Sequence, residues 1–192
     1  VMYGMVFFAG VCMTATAYFG IKSLTAISYI AVPCVAILGS AAMFMAVAQG
    51  EGTIVEQFAK SSGDLTVISG AGLVVGSFVS GGSATPNFTR FAKDGKTGFW
   101  TTVAAFFIGN SLMFCFGAVS SIFVGGEAND IFDVMLKLGL FWTAVLVLGL
   151  NIWTTNDNAL YSTGLGLANI TGFSKKHMVL FSGTLGPVLA VW

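Results

Sequence analysis

From Ser23 to Gly50, from Leu65 to Thr89 and from Thr97 to Gly126 this chain carries no Asp, Glu, Lys or Arg. Each gap holds a helix of about 20 apolar residues, the length that crosses the hydrocarbon core of a bilayer. A soluble domain carries roughly 25% charged residues; here the share is 8%, beside 56% hydrophobic residues and a mean hydropathy of +0.88. Eight basic and eight acidic side chains cannot coat a water-soluble body of 192 residues. The 25 glycines and 18 phenylalanines suit packed membrane helices instead. A soluble enzyme, a nucleic-acid binder and a disordered chain are excluded, and a formal net charge of zero gives no reason to expect a polyanionic partner. The chain reads as an integral membrane protein in contact with lipid.

The apolar runs predict spans at about 1–20, 24–48, 65–91, 98–124, 138–170 and 178–192, with Pro33 kinking the second. The fifth exceeds one bilayer thickness and is expected to tilt, bend or extend into water. None shows the period-two alternation of an outer-membrane barrel. The expected fold is therefore all-α and polytopic, a single membrane domain over residues 1–192. Val1 and Trp192 both fall inside apolar runs, so the sequence reads as a portion of a longer polypeptide without a signal peptide.

Charges between the runs set the orientation. The first, third and fifth connections together hold six Lys/Arg and one acid; the second and fourth hold two Lys and six acids. Basic residues in short loops stay on the cytoplasmic side, which puts Lys22, Arg90–Lys96 and Lys175–Lys176 inside and Val1 outside. Cys12, Cys34 and Cys115 stand singly in apolar runs and read as small buried hydrophobes. His177, the one histidine, falls in a basic connection.

Two runs depart from ordinary apolar helices. In Gly76–Asn87, nine of twelve residues are Gly, Ser, Thr, Pro or Asn. With each interior Gly costing about 1 kcal/mol and Pro about 3, a broken helix near residues 77–86 is expected, its unwound backbone turned to a ligand. Tight packing through Gly72 and Gly76 is the alternative. In the fifth run, Asn151, Thr154, Thr155 and Asn158 share one helical face. Four neutral oxygen-bearing side chains suit a weakly held hard cation such as Na⁺, although threonines also bond back to their own helix. Asp157 is the one ionisable side chain deep in a run, with ion coupling and structural capping both open to it. No HExxH, no Gly-x-Ser-x-Gly and no second intramembrane acid is present, so the chain is not read as an enzyme.

The segment Leu150–Tyr161, with Gly164, Gly166 and Ala168–Gly172 after it, closely resembles the nucleobase–cation symporter family. Phe19–Ile21, Ala31–Pro33, Val74–Phe78, Phe88 with Arg90 and Phe91, and Gly109–Phe114 fit the same pattern. The resemblance implies a LeuT-like inverted-repeat fold of which this chain is the middle portion, its third and fifth runs being the family's spans six and eight. It implies a secondary active transporter in the inner (plasma) membrane, importing a nucleobase, cytosine foremost, with Na⁺ as the coupling ion and no other cofactor. By the same resemblance Phe78 would stack on the base, Ser77, Ser80 and Gly81 would hydrogen-bond its edge, and Asn156 would add a contact. The Asn151 carbonyl and the Thr154 and Thr155 hydroxyls would bind Na⁺. The family's second aromatic wall and the remaining Na⁺ ligands belong to spans missing from this chain. Carriers of purines, allantoin or hydantoins, H⁺ coupling, or a non-transporting membrane or channel module are the alternatives.

Overall fold

The computed structural model describes residues 2–60, 66–124 and 130–191, all in helices and their connections. In chain order these are α1 (Met2–Phe19), α2 (Ile21–Gln49), α3 (Ile54–Lys60), α4 (Val67–Thr89), α5 (Gly95–Ala104), α6 (Ser111–Val124), α7 (Ile131–Lys137), α8 (Phe141–Thr171) and α9 (Lys175–Val191). A π-helical segment, Ala105–Asn110, joins α5 to α6. No strand occurs among the described residues, in keeping with the all-α expectation. Val1, Asp64 and Glu127, used above to orient the runs, lie outside them.

Three described helices are long and apolar enough to cross a membrane: α2, α4 and the continuous Gly95–Val124 rod. The runs expected at about 1–20, 138–170 and 178–192 fall on the other long helices: α1 holds the apolar stretch Tyr3–Phe19, and α8 carries the polar residues Asn151–Asn158 along its middle.

The chain divides into two compact units, one of Val1–Ala36 with Leu146–Trp192 and one of Ile37–Val145. In the first, α1 packs along α9 through small residues that interlock. A Cβ on Gly10 would run into the Pro187 ring, and one on Gly183 would run into the Thr14 side chain. Each helix thus offers a glycine to a bulkier residue of the other, which brings the backbones close. Gly164 of α8 likewise makes room for the fully buried Val179 of α9. α8 ends at Gly172, whose φ of 75° supplies the left-handed residue that closes many helices. At the same end of α1 and α9, Lys175 and Lys176 lie over the rings of Tyr161 and Tyr18, at 4.8 and 5.0 Å.

The second unit starts its helices on side-chain caps. Thr53 and Glu56 exchange hydrogen bonds at 2.9 and 3.3 Å in a capping box, and Thr66, Asp94 and Asp130 each accept a backbone N–H three residues on. In its core, Phe116 of α6, 1% exposed, lies over Gly39 of α2.

The Thr97 backbone N–H, 2.7 Å from Asp94 Oδ1, holds the Asp94 carboxyl below its ordinary range. A depressed folded value means the cap is at full strength above the ordinary aspartate pKa of about 3.9 and is lost as pH falls through the lower folded value. Amide exchange at Thr97 is therefore expected to quicken, relative to its intrinsic rate, in that acid window. Asp94→Ala should abolish this pH dependence; a variant that kept it would refute the assignment to Asp94.

The broken helix expected near residues 77–86 is not there: α4 runs unbroken from Val67 to Thr89 with Pro86 inside it. Among the described glycines, those at 76, 81 and 82 do not take positive φ. The hydroxyls that argued for unwinding instead bond back to the helix. Ser77 Oγ donates to the Val74 carbonyl (2.8 Å), Ser83 Oγ to Ser80 (2.8 Å) and Thr85 Oγ1 to Gly81 (2.9 Å). Magnitudes decide the outcome. Glycine propensity costs about 1 kcal/mol per residue, whereas each backbone group left unpaired in an apolar medium costs several. Self-satisfied hydroxyls remove the remaining incentive to unwind.

Candidate functional site

The residues singled out from the sequence fall in two groups, on α4 in the second unit and on α8 in the first. On α4, Phe78, Gly81, Ser77 and Ser80 lie in that angular order within an arc of roughly 160°, at 100° per residue. Phe78 is 44% exposed, so its ring is held at the helix surface rather than in a core. Two features hold it. A Cβ at Gly81 would fall within 3 Å of several Phe78 ring atoms, so the ring lies across space that only glycine leaves open. Phe106 packs against it in a T-shaped pair, with ring centroids 5.1 Å apart and planes at 79°.

Phe106 belongs to the π-helical segment, and sequence reasoning missed it. A π turn inserts extra backbone without a breaker residue, and such turns gather at functional sites. The one local signal, Gly109 next to Asn110, is weak. The unbroken helix also changes what Gly81 offers. Its N–H is committed to the Ser77 carbonyl by helical geometry, and its carbonyl accepts from Thr85 Oγ1. Ser77 gives its hydroxyl hydrogen to Val74, which turns the oxygen lone pairs outward as acceptors.

On α8, Asn151, Thr154, Thr155 and Asn158 form the stripe that their spacing dictates, because the helix is regular from Phe141 to Thr171. Thr154 Oγ1 donates to the Leu150 carbonyl at 2.9 Å and to that of Asn151 at 3.2 Å. A hydroxyl bonded in this way keeps both lone pairs for a cation, so back-bonding and ion ligation are compatible. Ser162, one turn beyond Asn158, adds a buried Oγ with no hydrogen-bond partner among the described residues.

Asn156 is not part of that stripe. It lies roughly 150° around the helix from the stripe's centre. There it lines a cavity of about 580 Å³ between α1, α8 and α9, with Met13, Thr163, Ser182 and Gly186 among the other walls. Asp157 faces a third direction and is 1% exposed. One regular helix thus presents three polar faces.

The match to known proteins fits the motif on α8 and the apolar helices around it. The family model described as a permease for cytosine/purines, uracil, thiamine and allantoin matches residues 2–192. The chain belongs to this permease family. Within it, the chain is similar to the cytosine permease of Escherichia coli K12, with 46% identity over 184 residues, 96% of this chain and 43% of the relative. The cytosine permeases of Escherichia coli O6:H1 and O157:H7 match to the same extent. The chain thus spans less than half the length of the curated relatives it matches. As a member of a permease family with helices fit to cross a bilayer, it is a membrane protein and not an enzyme.

Proposed function

We propose that this chain supplies the base-stacking residue and part of the ion site of a carrier that imports cytosine, coupled to Na⁺ by alternating access, as a multi-pass protein of the inner membrane. The observation that carries the reading is the surface-held ring of Phe78, paired with Phe106 and lying across the space that Gly81 leaves open, in a chain 46% identical to a cytosine permease. A flat, uncharged heterocycle is held by an exposed aromatic face, and its identity is fixed at its edge. Ser77 Oγ, with its lone pairs outward, suits a base N–H; Ser80 lies beside it on the same arc. Gly81 serves this site by its missing side chain, and Asn156, through its cavity, is a separate contact.

Saturable uptake of labelled cytosine by the intact protein, competed by cytosine analogues and not by adenine, is the expected result. Uptake that prefers purines, allantoin or hydantoins would move the substrate assignment, and ion current without saturable uptake would replace the carrier by a channel.

Neutral ligands imply modest Na⁺ affinity and ready release. Thr154→Ala and Thr155→Ala are each expected to raise the sodium concentration for half-maximal uptake by roughly tenfold, the scale of one lost polar contact. The buried Asp157 favours proton coupling as the second reading. Uptake that persists without sodium and follows the pH gradient would establish it and remove the sodium assignment.

A further inference from the structure

Thr16 of α1 stands against two residues of α8. The Trp153 indole Nε1–H donates to Thr16 Oγ1 at 3.4 Å, and the Thr16 side chain lies beside the Asp157 carboxyl. The single hydrogen of the Thr16 hydroxyl goes to the Met13 carbonyl, 2.8 Å away, which leaves the oxygen lone pairs for the indole N–H. Trp153 and Asp157 are four residues apart, hence on one face of α8, and Thr16 bridges them. Elsewhere α1 packs closely along α9, while it meets α8 through side chains. A carboxyl that is 1% exposed in an apolar helix pair is costly, and its Oδ2 has no hydrogen-bond partner among the described residues. Packing alone gives no reason to place it there.

We infer that Trp153, Thr16 and Asp157 form a clamp that fixes the rotation of α8 about its axis, and with it the direction in which Asn151, Thr154 and Thr155 present their oxygens to the coupling ion. The ion face begins about 60° around the helix from Asp157, at Thr154. A helix released to turn by a fraction of that angle moves all its ligands together, by an ångström or more at the side-chain tips. The clamp residues touch neither the ion nor the base and act as positioning residues. The inference rests on the sodium reading above, which it deepens.

The test is sodium dependence of cytosine uptake by the intact protein, normalised to the amount in the membrane. Thr16→Val, which keeps shape and loses the hydroxyl, is expected to raise the half-saturating sodium concentration roughly three- to tenfold. The apparent KM for cytosine at saturating sodium should stay within a factor of two or so. Thr16→Ser should restore the wild-type sodium requirement, which a packing role for the threonine methyl would not allow. Trp153→Phe, which keeps an aromatic side chain and loses the indole N–H, should shift sodium in the same direction and serves where Thr16→Val does not accumulate. A loss of protein or of maximal rate with the sodium requirement unchanged, while Thr154→Ala still shifts it, overturns the clamp and leaves the sodium site standing. If Thr154→Ala shifts nothing either, the sodium reading fails and the clamp falls with it.

Discussion

Phe78→Ala in the intact protein is expected to weaken cytosine binding by about ten- to a hundredfold. Stacking on an aromatic side chain is worth about 1–3 kcal/mol per base, and each 1.4 kcal/mol is a factor of ten in affinity. The ring is 44% exposed, so removing it leaves no large core cavity, and the cost should appear in binding rather than in folding. Phe106→Ala separates the two contributions. An edge-to-face pair is worth about 0.5–1.5 kcal/mol, so loss of Phe106 should free the Phe78 ring and cost a smaller factor. Equilibrium binding of labelled cytosine measures both. Unchanged affinity in Phe78→Ala at normal protein levels would reduce Phe78 to a packing residue.

Gly183→Val should strongly destabilise the first unit. A Cβ at this position already collides with the Oγ1, Cγ2 and Cβ of Thr14. Thr14 is itself 6% exposed and bonded to the Gly10 carbonyl at 2.6 Å, so it has nowhere to retreat. Overpacking of this kind costs about 1–3 kcal/mol, and valine adds further atoms to the clash. The detergent-solubilised protein should lose several degrees of thermal midpoint, or fail to accumulate. Gly186→Ala, on the same helix with open space around its Cβ, provides the control and should be nearly neutral. Equal stability of the two variants would show that α1 and α9 do not interlock at Thr14.

Which parts of this molecule could be read from its residues follows from how local each determinant is. The helices track the apolar runs because a chain without water must satisfy its backbone within itself, and caps such as Asp94 mark helix starts by a three-residue rule. Family membership was legible in Leu150–Tyr161, where an unusual polar word interrupts apolar sequence. The polar stripe on α8 followed from spacing because that helix is regular. On α4 the same logic failed. Propensity marked Gly76–Asn87 as a break, but side-chain-to-carbonyl bonds such as Ser77 to Val74 are invisible to propensity and favour continuity. The ring pair of Phe78 and Phe106 joins two helices through a π segment that no composition rule announces. The Trp153–Thr16 contact spans 137 residues and exists only once the fold brings α1 to α8.

The π segment between α5 and α6 also resets the phase of everything after it. An α-helix advances about 100° per residue, and the wider turns of Ala105–Asn110 accumulate a lag of about one residue by Ser111. A substitution scan through Gly95–Val124 should therefore show two tolerance waves of equal period that do not join. Positions on α6 that a single wheel drawn from Gly95 assigns to lipid belong about a quarter-turn away, and Phe116, buried over Gly39, marks where the second wave has its minimum.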